Sequence, residues 1–199
     1  MKGEIRIRDG FIITVLFWLV LSTFGALPFA LSQETNLSFI DALFESISGL
    51  TTTGATVFTN LEDLPKSILY YRQQLQWLGG IGIVVIAVSI LPMIGVGGMQ
   101  IYKAETPGPI KDTKLTPRIA ETANALFKIY VFLTVVCAIA YWVAGMSWFD
   151  ALSHSFSTIS IGGFSTYDES LGHFDNNAVL TIASIFMVVS GLNFALHYT

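Results

Sequence analysis

Two short runs of small, uncharged residues are the parts of this chain best suited to chemistry. One is Thr51, Thr52, Thr53 and Gly54, inside "SGLTTTGATV"; the other is Ser160, Ile161, Gly162 and Gly163, inside "STISIGGFST". What they offer is oxygen without fixed charge. Backbone carbonyls can replace the hydration shell of a cation, and Thr and Ser hydroxyls add further oxygen ligands. Glycine permits backbone angles closed to other residues and close approach of chains. The chemistry this suggests is the holding of a desolvated cation. The same composition would also suit an external turn, so the surrounding elements have to decide.

Other chemistry finds little footing. His154, His173 and His197 have no metal-ligand spacing, and the single cysteine, Cys137, lies in an apolar window and can form no intrachain disulfide. No nucleophile–base set and no cluster of metal ligands stands out, which argues against an enzyme. The glycines of "WLGGIGIVV" (Gly79, Gly80, Gly82) and "GVGG" (Gly95, Gly97, Gly98) suit close helix packing. A nucleotide-binding loop would need a preceding strand and a soluble domain.

The chain is 53% hydrophobic and 12% charged, with a mean hydropathy of +0.64. Soluble domains carry about 25% charged residues. The apolar surplus is concentrated in four windows, residues 11–31, 70–96, 123–143 and 177–196. Each has roughly the 20 residues needed to cross a bilayer core. Arg72 and Lys128 are the few charges inside them. The first window is too long for a signal-peptide core and is read as a retained helix.

A shift of 109 residues lays "SFIDALFESISGLTTTG" (38–54) over "SWFDALSHSFSTISIGG" (147–163) without a gap. Seven of 17 positions are identical, where about one would be expected from average residue usage. Each copy opens with Ser-x-x-Asp, a capping-box pattern with Asp at its end. Ser38 and Ser147 are thus helix caps, and Asp41 and Asp150 suit the positive end of a helix. Each helix has about 12 residues, some 18 Å at 1.5 Å per residue, too short to cross. It enters from outside and stops partway, with its partially negative end at the bilayer centre. Irregular backbone follows, and at that depth it survives only where it is buried in protein or lines water. An ion path satisfies that condition. The fold class expected is therefore all-α integral membrane, with two parallel helix, pore helix, filter, helix repeats, half of a four-repeat pore.

The boundaries follow. Repeat one is 1–98, with a helix over 11–31, a pore helix over 39–50, a filter over 51–55 and a helix over 69–97. A cytoplasmic loop covers 99–122. Repeat two is 123–199, with a helix over 123–145, a pore helix over 148–159, a filter over 160–164 and a helix over 177–199. Two crossings separate the copies, so they keep one orientation, and Thr52 and Ile161 are expected at matching depth near a shared axis.

The N-terminal ten residues and the loop "IYKAETPGPIKDTKLTPR" hold 7 of the 10 Lys and Arg. The positive-inside rule puts both in the cytoplasm. The opposite segments carry 9 of the 14 acidic residues, and an acidic mouth concentrates cations.

Taken together, "SGLTTTGAT", "YRQQLQWLGGIGIVV", "ILPMIGVGGMQIYKAETPGP", "PRIAET" and "HSFSTISIGGFST" resemble the membrane subunit of bacterial Trk-type potassium uptake systems, in the Trk/Ktr/HKT superfamily. The resemblance covers essentially the whole chain. It implies that Thr51–Gly54 and Ser160–Gly163 are two quarters of a selectivity filter. Potassium, with sodium as the alternative, would meet the carbonyls of Thr51, Thr52, Ser160 and Ile161. The copies share one filter glycine, which implies weaker discrimination of potassium from sodium than in potassium channels. The family builds its pore from four such units after an N-terminal hairpin, and this chain is similar to its first half without the hairpin. The partners implied are two further pore repeats or a second copy, a cytosolic regulatory subunit that binds NAD or another nucleotide, the lipid bilayer and a homodimer of the full transporter, with no nucleic acid. The location implied is the bacterial inner membrane. Less selective monovalent cation flux, potassium/sodium cotransport, and a non-conducting assembly subunit are the other functions weighed.

Overall fold

The computed structural model describes residues 7–90 and 115–191. Among the described residues six helices carry the fold: α1 (Ile7–Leu31), α2 (Phe39–Leu50), α3 (Lys66–Ile90), α4 (Leu115–Val143), α5 (Trp148–Ile159) and α6 (Asn177–Gly191). Short 3-10 turns, Leu61–Asp63 and Ser170–Phe174, precede α3 and α6. No strand occurs among the described residues. The expected end of the second long helix beyond residue 90, the loop over 99–114, Gly95, Gly97 and Gly98, and residues 192–199 lie outside the described residues.

Several helix bounds differ from those read by hydropathy. The segment 115–122, expected in the cytoplasmic loop, belongs to α4. A hydropathy window stops where polar residues begin, but Pro117 in the first turn and the Ala120-Glu121-Thr122-Ala123 run after it favour helix. At its other end α4 stops at Val143, before the expected 145. Gly145 has a φ of +105°, and its N–H bonds to the Trp142 carbonyl at 3.0 Å while that of Met146 reaches Tyr141 at 3.1 Å. This is a left-handed glycine C-cap. α3 starts at Lys66, three residues early, because Pro65 opens the helix and its carbonyl accepts from Ile68 and Leu69. α1 likewise starts at Ile7.

The two repeats are visible as two cores. Phe29, Ala42, Leu50, Phe58 and Leu75 belong to the first, and Tyr130, Cys137, Tyr141, Ile159 and Val179 to the second. Helix α3 serves both: Leu75 packs in the first, while Trp77 and Ile81 pack on the second. Cys137 is a buried packing residue. Close approach depends on small residues, since a Cβ on Gly79 would strike the Leu50 carbonyl and one on Gly80 the Tyr130 hydroxyl.

The outward faces are apolar. Val15, Phe17, Leu19, Val20 and Phe24 of α1 and Phe132, Val135, Ile139 and Trp142 of α4 are exposed. Contiguous apolar surface of this kind belongs against lipid rather than water. Thr14–Leu31 and Ala123–Val143 are long and apolar enough to cross a membrane. The described part of α6, Asn177–Gly191, is apolar but shorter. In α3, Arg72, Gln73, Gln74 and Gln76 are polar residues in the N-terminal half of an otherwise apolar helix. Arg72, Gln73 and Gln76 lie on one helical face and are fully buried, so α3 keeps its polar side inside.

Candidate functional site

Each short helix begins on the cap its sequence specifies. Ser38 Oγ accepts from the Asp41 N–H at 3.2 Å, and Ser147 Oγ accepts from the Asp150 N–H at 3.2 Å. The Asp carboxylates then accept from the same serine hydroxyls, at 2.7 and 2.6 Å. Asp41 and Asp150 therefore hold the cap and face the positive helix ends.

The C-terminal ends of α2 and α5 run into the two candidate segments with the same backbone path. The N–H of Thr51 bonds to Ile47 O, that of Thr52 to Gly49 O and that of Thr53 to Ser48 O. In the second copy Ser160 bonds to Phe156 O, Ile161 to Thr158 O and Gly162 to Ser157 O. Every one of these pairs is offset by 109. The φ angles also match: +55° at Thr52 and +54° at Ile161, then +77° at Gly54 and +84° at Gly163. Thr51 and Ser160 between them and the helices stay right-handed, at −83° and −79°. Alternation of handedness turns successive N–H groups toward the helix end and leaves the carbonyls on the other side. Thr and Ile with positive φ are strained, a cost of about 1–2 kcal/mol each. Among the described residues, the carbonyls of Thr51, Thr52, Ser160 and Ile161 accept no hydrogen bond.

The two segments touch. A Cβ on Gly54 would collide with the Gly162 carbonyl oxygen, and a Cβ on Gly162 would collide with the Gln76 amide. The two copies thus stand side by side. Gly163 needs glycine only for its φ, since a Cβ there meets nothing. One expectation changes. The Thr51 hydroxyl is turned back to the Ile47 carbonyl at 2.8 Å and that of Ser160 to the Phe156 carbonyl at 2.8 Å. Both hydroxyls finish the helix ends, while the backbone carbonyls of these residues stay free.

Sequence reading missed the groups behind these segments. Glu45 and Arg72 are both fully buried and form an ion pair of 2.7 Å. Arg72 also donates to Thr56 Oγ1 at 2.9 Å and to the Ser165 carbonyl at 3.1 Å. Glu45 accepts from Thr56 Oγ1 at 2.9 Å and from the Val57 N–H at 3.1 Å. Gln76 Oε1 accepts from the Phe164 N–H at 3.0 Å, while its Nε2 has no partner. In the second copy His154 replaces Glu45. Its two ring nitrogens bridge the Asp150 carbonyl at 2.9 Å and Ser165 Oγ at 3.0 Å, a packing role rather than a proton relay. Thr166 and Tyr167 donate to the Asp150 carboxylate at 3.0 and 3.2 Å. Burial, and then the Asp150 carboxylate, push the Tyr167 phenol above its ordinary value, so it stays a donor. The signal for this set was a charge of each sign, Glu45 and Arg72, on the helices that flank the candidate segments.

The family profile described as "TrkH: Cation transport protein" matches residues 1–199. The chain belongs to this TrkH cation transport family. It is 61% identical over 197 residues to the "Trk system potassium uptake protein TrkH" of Vibrio parahaemolyticus, covering 99% of this chain and 41% of that protein. It is 63% identical to the TrkH of Halomonas elongata and 50% identical to the TrkG of Escherichia coli, over 41% and 40% of their lengths. Among solved structures, the potassium transporter TrkH from Vibrio parahaemolyticus matches with a TM-score of 0.86 and 55% identity, over 99% of this chain and 39% of that one. This TrkH-family chain therefore spans about two fifths of the length of the relatives it matches. The fold is that of a membrane transporter built from pore-helix repeats.

Proposed function

We propose that the chain forms two adjacent walls of a potassium-selective path in a Trk-type uptake transporter of the bacterial inner membrane. Potassium meets the backbone carbonyls of Thr51, Thr52, Ser160 and Ile161, with Thr53, Gly54, Gly162 and Gly163 shaping the path. The observation that carries this is the pair of capped short helices whose C-terminal ends converge on two touching segments of identical φ pattern. Negative helix ends and free carbonyls at one place favour a monovalent cation that has shed water. The relatives' names supply potassium as that cation. The N-terminus and the loop before α4 face the cytoplasm, where the basic residues lie. Two more repeats complete the ring, a nucleotide-binding regulatory subunit docks on the cytoplasmic side, and the whole transporter pairs as a homodimer.

Gly54→Asp tests the reading, because it adds bulk against the Gly162 carbonyl and a fixed charge in the path. In the native gene product carrying this sequence, potassium uptake by a transporter-deficient strain is expected to be lost. Normal uptake with normal selectivity rejects the filter assignment. A second reading, a half-pore that does not conduct, is favoured by the two walls alone. Purified 199-residue chain in liposomes decides it. Selective flux is expected to vanish as protein is diluted to one chain per vesicle, and constant flux per chain would show that two walls suffice.

A further inference from the structure

The geometry points to Arg72 as a residue that sets cation discrimination from behind the path, by fixing the spacing between the two candidate filter segments. This rests on the reading of those segments as a cation path. The Arg72 guanidinium carries three directed contacts at once. Nε donates to Glu45 Oε1 at 2.7 Å, Nη2 to Thr56 Oγ1 at 2.9 Å, and Nη1 to the Ser165 carbonyl at 3.1 Å. Thr56 lies two residues after Gly54, and Ser165 two residues after Gly163. One rigid planar group on α3 therefore holds the equivalent point of both repeats. Glu45 completes the tie from the pore helix by binding the Thr56 hydroxyl and the Val57 N–H.

The placement explains a buried ion pair that apolar residues could replace in stability terms. Discrimination between cations depends on where carbonyl oxygens stand and how firmly. The planar fork of arginine fixes direction at several acceptors, which a lysine ammonium cannot do. Among the described residues the tie is made once. Helix α6 begins 111 residues after α3, the 3-10 turn before it being two residues longer. In that register Ala183, also buried, stands where Arg72 does. Arg72 is thus a positioning residue for the seam between repeats one and two.

The test measures the potassium-to-sodium permeability ratio of the native gene product in liposomes, a ratio independent of how many molecules fold. Wild type and Gly54→Asp are run alongside. A wild type that does not discriminate would fail the path reading itself, not this inference. Arg72→Lys, and the neutral pair Arg72→Gln with Glu45→Gln, are expected to lower the ratio about tenfold, the factor one charge-assisted hydrogen bond corresponds to. Thr56→Val, at an exposed position, removes one acceptor with little change in shape. It is expected to lower the ratio several-fold, while Thr56→Ser keeps it. If Thr56→Val retains the wild-type ratio in a wild type that discriminates, or an assembled Arg72 variant does, the positioning role is wrong.

Discussion

The two repeats share a backbone and differ in what holds it. From the cap serines through Gly54 and Gly163 they follow the same hydrogen bonds and the same φ alternation. Behind the first segment stands a buried ion pair, Glu45 with Arg72. Behind the second stand His154, bonded to the Asp150 carbonyl and Ser165, and the Asp150 carboxylate, bonded to Thr166 and Tyr167. Thr56 and Ser165 occupy the same place and bond to the same helix position, Glu45 in one copy and His154 in the other. The difference teaches that the path of the backbone is the shared requirement, and that a network with a buried ion pair and one without can each meet it.

The comparison breaks most visibly at that pair of positions. Glu45→Ala leaves the Arg72 guanidinium buried without its partner, a loss of about 3–5 kcal/mol. His154→Ala removes hydrogen bonds to two groups that keep other partners, about 1–3 kcal/mol. Thermal unfolding of the detergent-extracted protein is expected to show the larger drop for Glu45→Ala. Equal drops would mean that the ion pair contributes no more than the hydrogen bonds of His154.

The glycines give the next contrast. Gly54→Ala meets both an unfavourable φ and the Gly162 carbonyl, whereas Gly163→Ala meets only the φ. The second substitution should cost about 1–2 kcal/mol, the strain of a left-handed residue, and the first clearly more. The same melting measurement reads it, and Gly163→Asn should be milder than Gly163→Ala because Asn tolerates that region.

The smallest effect is expected at the caps, where the repeats are alike. Ser38→Ala and Ser147→Ala each remove one cap bond, worth about 1 kcal/mol. Hydrogen exchange at the first turns of α2 and α5 should rise by similar factors. A marked difference would show that the tie of Asp150 to Thr166 and Tyr167 stiffens the second cap beyond the first.

Part of this was written in the chain itself. The short capped helices, the 109-residue repeat and the all-helical membrane fold follow from local patterns: a Ser-x-x-Asp, a run of apolar residues, glycines at matching offsets. Such signals act over a few residues, so sequence alone carries them. Helix ends were less legible, as at Leu115 and Val143, because hydropathy reports burial in lipid while caps and propensity decide where a helix stops. What the sequence could not give was which distant groups meet. Glu45 and Arg72 are 27 residues apart, and Arg72 and Ser165 are 93 apart. Gln76 similarly reaches Phe164 across 88 residues. Packing of α3 between the two pore helices brings them together, and it turns the polar side of α3 inward. Only tertiary structure decides such contacts, because burial of a charge is tolerable only where the fold delivers its partner.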